Sequence, residues 1–323
     1  MSPRVPLDSL LNWGSQALHE HGIPAIEGRW LLQWALQTDN LLTAPAQVGL
    51  QIAERYRFAV RQRQYHIPLQ HVTGEMSFRS LTLKAGSGVF CCRPETELIL
   101  DLAEPFLTSP HTRIADLCAG SGAIGLALAV EFRGCQVVAV EKSPTAATYA
   151  RANLEKYAPK FACDSSLTVV EDDAITGLED ADGTFDLVVC NPPYVRERPV
   201  QREALHDPEE ALYGGGEDGL VIPRGITTRS ADLLHDRGVL IMELAEEQCE
   251  LMSEFACQQG FAWVRVEQDL TGRPRFIVAH KEGRADSDSA GGEAVSEVPS
   301  QASSGVSHTE VGEVADAGRD GGA

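Results

Sequence analysis

The feature that most constrains the fold is a regular alternation of apolar strand patterns with helical patterns between residues 93 and 281. Strands are predicted at residues 113–117, 136–140, 167–171, 185–190, 239–243, 262–267 and 276–280. Helices are predicted between them at residues 124–132, 144–157, 219–234 and 246–259. Repeated strand-helix units predict a mostly parallel α/β sheet covered on both faces. The link between the last two strands is too short for a helical crossover, so the last strand should be antiparallel.

Two other regions differ from this alternation. Residues 1–74 have apolar side chains at helical spacing, with a third helix opening at Pro45, and predict a small helical domain. Residues 75–92 predict a linker, with a β-hairpin from Phe78 to Phe90 that contains Gly86 and Gly88. Residues 93–282 then form the strand-helix domain. Residues 283–323 carry eight acidic residues and two arginines with few apolar residues, and predict a disordered acidic tail.

Composition excludes several classes of protein. The formal net charge of −20 argues against direct nucleic-acid binding. A basic run, Arg55-Arg57-Arg61-Arg63, is more typical of a solvated helix face. No apolar run approaches the roughly 18 residues of a membrane span, and no secretion signal is evident, so we expect a cytoplasmic protein without a membrane partner. Eight cysteines without a Cys-x-x-Cys pair predict reduced thiols and no metal site.

Acidic or small residues end three successive predicted strands. The first strand runs into Asp116-Leu-Cys-Ala-Gly-Ser-Gly122, a turn that lets a ligand approach backbone amides. The second ends at Glu141, which can accept ribose hydroxyls, and the third at Asp173, which can face an adenine amino group. Together they predict a site for an adenosine-containing cofactor. Cys118 stands where a dinucleotide-binding turn has its first glycine, so S-adenosylmethionine is favoured over a nicotinamide dinucleotide.

The fourth strand delivers Asn191-Pro192-Pro193-Tyr194 to the same edge of the sheet. A planar nitrogen is a poor nucleophile because its lone pair is delocalised, so a site must hold both of its N–H bonds. The Asn191 side-chain oxygen and the Pro192 carbonyl can accept one each. Consecutive prolines stiffen the loop, and Tyr194 offers a flat face for stacking. This motif predicts methyl transfer to a planar nitrogen by proximity and orientation, without a strong base.

These motifs together resemble the release-factor glutamine-N5 methyltransferases (HemK/PrmC type), over roughly residues 7–281. The resemblance rests on residues 68–75 (Pro-Leu-Gln-His-Val-Thr-Gly-Glu), residues 93–97 (Arg-Pro-Glu-Thr-Glu), the turn at 116–124, the motif at 191–194, and residues 215–220 and 269–273. It implies a Rossmann-like class I methyltransferase domain and a helical domain that helps grip a protein substrate. The substrate implied is the glutamine of the Gly-Gly-Gln motif in peptide chain release factors.

The resemblance also assigns residues. The cofactor S-adenosylmethionine would contact Asp116, Cys118, Ala119, Gly120, Ser121, Gly122, Glu141, Asp173, Ala174 and Asn191. The glutamine amide would be held by Asn191, Pro192, Pro193 and Tyr194. The chain departs from the family at Cys118, a usual glycine, at Glu141, a usual aspartate, at Ala174, an aromatic in some relatives, and at Cys91-Cys92, a usual aliphatic pair.

Some roles stay open at this point. Arg93, Glu95 and Glu97 could form an ion-pair network or shape the substrate entrance, and His71 is expected to pack at a hinge. The alternative function is an N-methyltransferase acting on an exocyclic amine of DNA or RNA, which would need a basic face. A scaffold without activity is disfavoured by the intact motif at 191–194. We expect the protein to be a monomer.

Overall fold

The structure is a computed structural model that describes residues 3–196 and 202–282. The tail predicted at residues 283–323 lies outside these residues. Within the described part of the chain, no helix is both long and apolar enough to cross a membrane.

Helices and a two-stranded sheet form the N-terminal part of the chain. The helices are α1 (Leu7–His19), α2 (Ile26–Leu36), α3 (Leu50–Gln64) and α4 (Leu69–Thr73), and strands β1 (Arg4–Pro6) and β2 (Gln47–Gly49) pair antiparallel. Their apolar faces meet in one core around Leu18, Leu31 and Tyr56. The prediction of a helical N-terminal region is confirmed.

The start predicted for the third helix, at Pro45, is wrong. Residues Gln47–Gly49 form β2 instead, and α3 begins at Leu50. Val48 explains the difference, because its side chain packs in the helical core and its backbone pairs with Val5 of β1. Burial of one side chain therefore outweighs the local signal for an earlier helix start.

A β-hairpin follows, but it lies earlier than predicted. Its strands are β3 (Glu75–Phe78) and β4 (Leu81–Lys84), so the turn is at Arg79 and Ser80 rather than at Gly86 and Gly88. Arg79 adopts a left-handed φ of 50°. Its N–H donates to Glu97 Oε1 at 2.8 Å. A distant carboxylate thus stabilises a conformation that glycine usually supplies, and no local signal reveals it.

A seven-stranded sheet forms the centre of the molecule. Its strands are β5 (Thr112–Leu117), β6 (Cys135–Glu141), β7 (Ser166–Glu171), β8 (Phe185–Cys190), β9 (Leu234–Glu243), β10 (Phe261–Gln268) and β11 (Pro274–Lys281). Their order across the sheet is β10-β11-β9-β8-β5-β6-β7. Neighbours pair in parallel except β11, which is antiparallel to both β9 and β10. The predicted class I methyltransferase sheet with an antiparallel last strand is confirmed.

Helices cover both faces of this sheet over two separate cores. They are α5 (Leu98–Ala103), α6 (Ala123–Glu131), α7 (Pro144–Tyr157), α8 (Glu209–Leu212), α9 (Val221–Leu233) and α10 (Cys249–Gln258). The four predicted helices are present with shifts of a few residues at most of their ends, and the last begins with a 3-10 turn at Glu246–Gln248. The sequence does not predict the short helices α5 and α8.

A buried ion pair ties the helical region together and links it to the rest of the chain. Arg63 on α3 is 2% exposed and donates to both carboxylate oxygens of Glu27 on α2, at 2.7 and 3.1 Å. Its Nη1 donates to the Ile67 carbonyl at 2.6 Å, and its Nη2, which also binds Glu27, donates to Glu203 Oε1 at 2.9 Å. The sequence interpretation of Arg63 as part of a solvated face is therefore wrong, because this guanidinium points inward and each of its three nitrogens has an acceptor.

We expect Glu27→Ala to lower the free energy of unfolding by about 3 kcal/mol, because it leaves the buried Arg63 guanidinium without its main partner. Urea denaturation followed by circular dichroism measures this change. Glu54→Ala is the matched control, since Glu54 forms an exposed pair with Arg57 at 2.7 Å. That pair should contribute less than about 1 kcal/mol. Equal losses in the two variants would contradict the assignment of a buried, stabilising pair.

Candidate active site

The strand order reverses at β5, which lies between β8 and β6. The carboxyl ends of these strands and of β7 share one edge, where ligands bind in open α/β sheets. One cavity opens there. The predicted site residues that line it are Cys118, Ala119, Gly120, Ser121, Glu141, Asp173, Ala174, Asn191 and Pro193. Asp116, Gly122, Pro192 and Tyr194 are close in sequence to these residues but do not line the cavity.

Every second residue of the turn after β5, from Cys118 to Gly122, has a left-handed backbone conformation. Cys118 has a φ of 60°, Gly120 of 56° and Gly122 of 80°. A Cβ atom built on Gly120 would meet nothing within 4 Å, so this glycine faces open space, whereas one on Gly122 would contact Leu126 at 3.3 Å. Cys118 adopts a conformation that strains a residue with a side chain by about 1–3 kcal/mol. This strain is the physical reason that a glycine is favourable at position 118.

Glu141 closes this turn from the end of β6. Its Oε2 accepts the Gly120 N–H and its Oε1 the Ser143 N–H, both at 2.7 Å. Burial raises the pKa of Glu141, and these backbone N–H bonds oppose the rise. Each carboxylate oxygen has a further lone pair. Glu141 can therefore hold the turn and accept hydroxyl groups of a bound nucleoside at the same time.

Asp116 lies beneath the turn rather than on the cavity wall. Its Oδ2 accepts the Gly125 N–H at 2.9 Å, while its buried Oδ1 has no hydrogen-bond partner among the described residues. Burial raises the pKa of Asp116 to about 7, and the Gly125 N–H opposes this. A buried acceptor without a partner next to an open glycine turn fits a ligand that brings its own N–H donors, as the amino-acid part of S-adenosylmethionine does.

Asp173 and its neighbours form another part of the wall. The Asp173 carboxylate contacts the Lys142 ammonium at 2.8 Å and accepts the Ile175 N–H at 2.8 Å. The Lys142 contact lowers its pKa, with the Ile175 N–H adding to the effect. Ala174, Ile175 and Ile222 line the cavity beside it. A charged acceptor next to apolar side chains suits a heteroaromatic ring with an exocyclic amine.

Asn191 occupies the opposite wall with one side of its amide already committed. Its Nδ2 donates to the hydroxyl oxygen of Thr96 at 3.0 Å. The Asn191 oxygen is thereby left as the acceptor for another group. Pro192 and Pro193 are buried, and their packing keeps the backbone carbonyl groups of the loop at 191–194 in place.

Tyr194 is fixed through its polar groups. Its hydroxyl donates to Glu243 Oε1 at 3.0 Å, and its carbonyl accepts from the Gln248 side chain at 2.8 Å. Burial and the neighbouring Glu243 raise the pKa of Tyr194, so the phenol stays protonated and acts as a donor. The stacking role for its ring stays a prediction, since the ring lies outside the cavity lining.

Sequence reasoning missed Thr96, Glu243 and Gln248. Thr96 belongs to the Arg-Pro-Glu-Thr-Glu stretch, in which the charged residues carry the sequence signal. Glu243 ends the apolar strand β9 as Glu141 ends β6, so the same signal could have found it. Burial raises the pKa of Glu243 to about 7, against hydrogen bonds from Thr96 and Tyr194 that lower it.

The charged residues of the 93–97 stretch serve different contacts. Arg93 donates to Asp207 at 2.7 Å, while Glu97 receives the Arg79 N–H described above. Both also line a wide groove that contains about 880 Å³ and runs toward Trp30 and Trp34. Arg93 therefore forms its ion pair with the distant Asp207 and Glu97 accepts a backbone N–H, while both also lie on the groove wall. A role in shaping the substrate entrance stays a prediction.

His71 packs with Cys91 and Asp207 in a cluster whose possible ligand atoms lie within 4.8 Å of one another. The His71 ring contacts the Val89 carbonyl at 3.1 Å, and Asp207 is paired with Arg93. Burial lowers the pKa of His71 and raises that of the Cys91 thiol to about 12. His71 and Asp207 thus each have a partner within the protein, and the expected packing role of His71 stays a prediction.

Comparisons with known proteins find similar families, relatives and a similar solved structure. Residues 80–248 match the methyltransferase small domain, and residues 9–74 match the PrmC N-terminal domain. A release factor glutamine methyltransferase of Bifidobacterium longum is 40% identical over 291 residues, covering 84% of this chain and 99% of that protein. Another from Deinococcus radiodurans is 33% identical, covering 86% of this chain and 100% of that protein. A methyltransferase structure from Pyrococcus furiosus is similar with a TM-score of 0.47, at 20% identity over 64% of this chain and 91% of that one.

The sheet, the glycine turn and the match to the methyltransferase small domain define the chain as a class I methyltransferase. Relatives named release factor glutamine methyltransferase match this chain over nearly their whole length, so the chain belongs to that family. The resemblance found in the sequence is confirmed, and this function is favoured over methylation of nucleic acid.

We expect Glu141→Gln to weaken S-adenosylmethionine binding by about 1–3 kcal/mol, or roughly 5- to 150-fold in Kd. The substituted amide places an NH2 group against a backbone N–H and removes the charge. Isothermal titration calorimetry measures the change. Glu171→Gln is the matched control, because Glu171 ends the adjacent strand but pairs with Arg151 at 3.1 Å outside the cavity. Unchanged affinity in Glu141→Gln would place the ribose elsewhere.

Proposed function

We propose that this enzyme transfers a methyl group from S-adenosylmethionine to the side-chain amide nitrogen (N5) of the glutamine in the Gly-Gly-Gln motif of peptide chain release factors. The observation that carries the proposal is the Asn191 amide, whose nitrogen is bound to Thr96 and whose oxygen is available beside the cofactor cavity. Relatives named release factor glutamine methyltransferase, which cover 84% and 86% of this chain, support the same substrate.

S-adenosylmethionine supplies an activated methyl group on a sulfonium centre. In the proposal, Asp116 and the turn of Cys118, Ala119, Gly120, Ser121 and Gly122 hold its amino-acid part. Glu141 holds the ribose, and Asp173 with Ala174 faces the adenine. The order of these residues along the cavity wall follows the order of strands β5, β6 and β7, which supports one extended ligand across the three strand ends.

The reaction needs orientation of the acceptor more than acid-base chemistry. The amide nitrogen of glutamine carries two N–H bonds and a lone pair delocalised toward its carbonyl. In the proposal, the Asn191 oxygen accepts one N–H and the Pro192 carbonyl accepts the other, so that the lone pair faces the methyl group. Held acceptors also stabilise the positive charge that develops on nitrogen. The methylated nitrogen then loses its extra proton to water.

The wide groove supports a protein substrate rather than a nucleic acid. It shares Cys92 with the cofactor cavity, so a chain lying in it would reach the acceptor position. Its wall carries Trp30, Trp34 and Arg55, with the Arg55 guanidinium 3.9 Å from the centre of the Trp34 ring. Acidic side chains at Asp39, Glu75 and Glu97 also line it, together with Arg93. Mixed charges and aromatic rings suit a polypeptide and would repel a phosphate backbone.

We also propose the oligomeric state and location of the enzyme. It acts as a monomer in the cytoplasm, where release factors function, and does not bind nucleic acid directly. Residues 1–74 form the helical substrate-recognition domain, 75–92 the hairpin linker and 93–282 the catalytic domain. Size-exclusion chromatography with light scattering tests the oligomeric state.

We expect Asn191→Ala to reduce kcat for release factor methylation by at least about 100-fold, because the acceptor amide loses its orienting partner. Affinity for S-adenosylmethionine should fall only a few-fold, since other residues make most cofactor contacts. Radiolabelled-methyl incorporation measures the first quantity and calorimetry the second. Near-normal turnover in this variant would rule out the proposed role of Asn191.

The substrate proposal predicts efficient methylation of an intact release factor, weak methylation of a short Gly-Gly-Gln peptide and none of free glutamine. A glutamine that follows two glycines has few neighbouring side chains for contacts, so binding energy must come from the folded protein. Changing the acceptor glutamine to glutamate should abolish incorporation, because the acid has no N–H bonds for Asn191 and Pro192.

The control offers DNA, RNA and release factor side by side with radiolabelled S-adenosylmethionine. Label in nucleic acid that falls steeply with added salt, with none in the release factor, would favour the alternative function and contradict the proposal.

A further inference from the structure

A buried glutamine beside the catalytic loop has no assigned role. Gln248 ends the 3-10 turn between β9 and α10 and is only 2% exposed. Its Nε2 donates to two backbone carbonyls, that of Tyr194 at 2.8 Å and that of Asp218 at 2.9 Å. Its Oε1 accepts the Ala245 N–H at 3.1 Å. Both N–H bonds of this amide and its oxygen therefore have partners inside the protein.

These partners allow only one orientation of the Gln248 amide. A carbonyl oxygen can only accept hydrogen bonds, and a backbone N–H can only donate. Rotation of the amide by half a turn would place its oxygen against the two carbonyls and its NH2 group against the Ala245 N–H. A side chain of the same length without an amide would leave these backbone groups without their partner. The position therefore requires the amide itself and not only its bulk.

The two carbonyls that Gln248 binds belong to segments that pair directly with each other. Val195, the residue after Tyr194, donates to the Leu212 carbonyl at 2.8 Å. The Val195 carbonyl accepts the Gly214 N–H at 3.2 Å. Backbone pairing thus joins the end of the catalytic loop to the chain that leads into the glycine-rich turn.

The glycines of this turn allow a close approach to the catalytic loop. A Cβ atom built on Gly214 would lie 2.8 Å from the Pro193 carbonyl oxygen. One built on Gly219 would lie 2.5 Å from the Tyr194 carbonyl oxygen and 3.0 Å from Gln248 Nε2. Atoms at such distances would have to move apart. The contact between Gln248 and the Tyr194 carbonyl therefore depends on the absence of a side chain at position 219.

The segments joined by Gln248 also form part of the cofactor cavity. Asn191 and Pro193 line the cavity from the catalytic loop. Ile222 lines it just after the glycine-rich turn, and its N–H donates to the Gly214 carbonyl at 2.9 Å. Gln248 is not part of the cavity lining. Its hydrogen bonds therefore fix the catalytic loop relative to the cavity wall without contacting a ligand.

We propose that Gln248 is a positioning residue that holds the Tyr194 carbonyl against the turn at 214–219, and thereby sets where the loop at 191–194 lies relative to the bound cofactor. The inference rests on the proposed function, because that function gives the loop an acceptor amide to orient. A small displacement of an orienting group lowers the rate of methyl transfer more than it lowers binding.

The test compares Gln248→Met with wild type in the full chain. Methionine has a similar length but no N–H group, so the Tyr194 and Asp218 carbonyls lose their donor. We expect kcat for release factor methylation, per folded enzyme, to fall roughly 10- to 100-fold. The KM for the release factor and the calorimetric Kd for S-adenosylmethionine should stay within about three-fold. Gln259→Met is the matched control at the other end of α10, where the Gln259 amide oxygen accepts the Thr228 hydroxyl at 3.0 Å, and should leave kcat unchanged.

Gly219→Ala tests the same contact from the other side. Its methyl group would separate the Tyr194 carbonyl from Gln248, and should lower kcat by a similar factor. Because both changes break one contact, the Gln248→Met/Gly219→Ala double variant should be far less impaired than the product of the two single effects. Gly183→Ala is the matched control for backbone strain, since Gly183 has a φ of 64° against 72° for Gly219. A Cβ atom on Gly183 would meet nothing within 4 Å in the described part of the chain, so kcat should not change.

Wild-type kcat in Gln248→Met, or single effects that multiply in the double variant, would overturn the inference. It is also overturned if kcat falls only in proportion to lost folded protein or lost cofactor binding, because that result indicates structural support alone. If Gln248→Met does not fold, Gly219→Ala decides the test, and wild-type kcat there overturns the inference. If the wild-type chain itself methylates no release factor, the proposed function fails instead, and this result is read from the wild-type arm before any variant is compared.

Discussion

The parallel pairing of β5 with both β6 and β8 is the constraint on which the site depends. Consecutive parallel strands are joined by crossovers that pass over one face of the sheet. The order of the strands reverses at the point from which two crossovers run in opposite directions along the sheet. Here that point is the carboxyl end of β5. The glycine turn follows β5 there, and the Asn191 loop follows the neighbouring strand β8. A cofactor and an acceptor can then meet between loops whose positions are set by strand hydrogen bonds rather than by the loops themselves.

Buried carboxylates organise both sides of this crevice. Asp116, Glu141 and Glu243 each end or nearly end a strand, and burial raises the pKa of each. Glu141 accepts two backbone N–H groups, Glu243 accepts the Tyr194 hydroxyl on one oxygen, and Asp116 accepts one N–H. One oxygen of Asp116 and one of Glu243 have no hydrogen-bond partner among the described residues. Of these two, Asp116 lies next to the open glycine turn and is better placed to gain from a bound ligand.

The helical region is linked to the crevice through charge pairs. Arg63 of α3 contacts Glu203, and Arg93 contacts Asp207 a few residues further along the same segment. That segment continues into Pro208, Glu210 and Ala211, which line the cofactor cavity.

Much of this molecule follows from its sequence. Apolar runs set the strands, including Phe185–Cys190 at the predicted bounds, and the residues directly after them set the cofactor turn, Glu141 and the loop at 191–194. These features are local, because the periodicity of side chains and the ends of strands are properties of neighbouring residues. Tertiary structure decided the rest. Val48 forms a strand because the helical core receives its side chain, and Arg79 turns a hairpin because Glu97 binds its N–H. Asn191 is oriented by Thr96, which lies 95 residues away in the chain. Such hydrogen bonds form only after the folded backbone has brought the two residues together. A pattern of neighbouring residues therefore cannot predict which distant residues will meet.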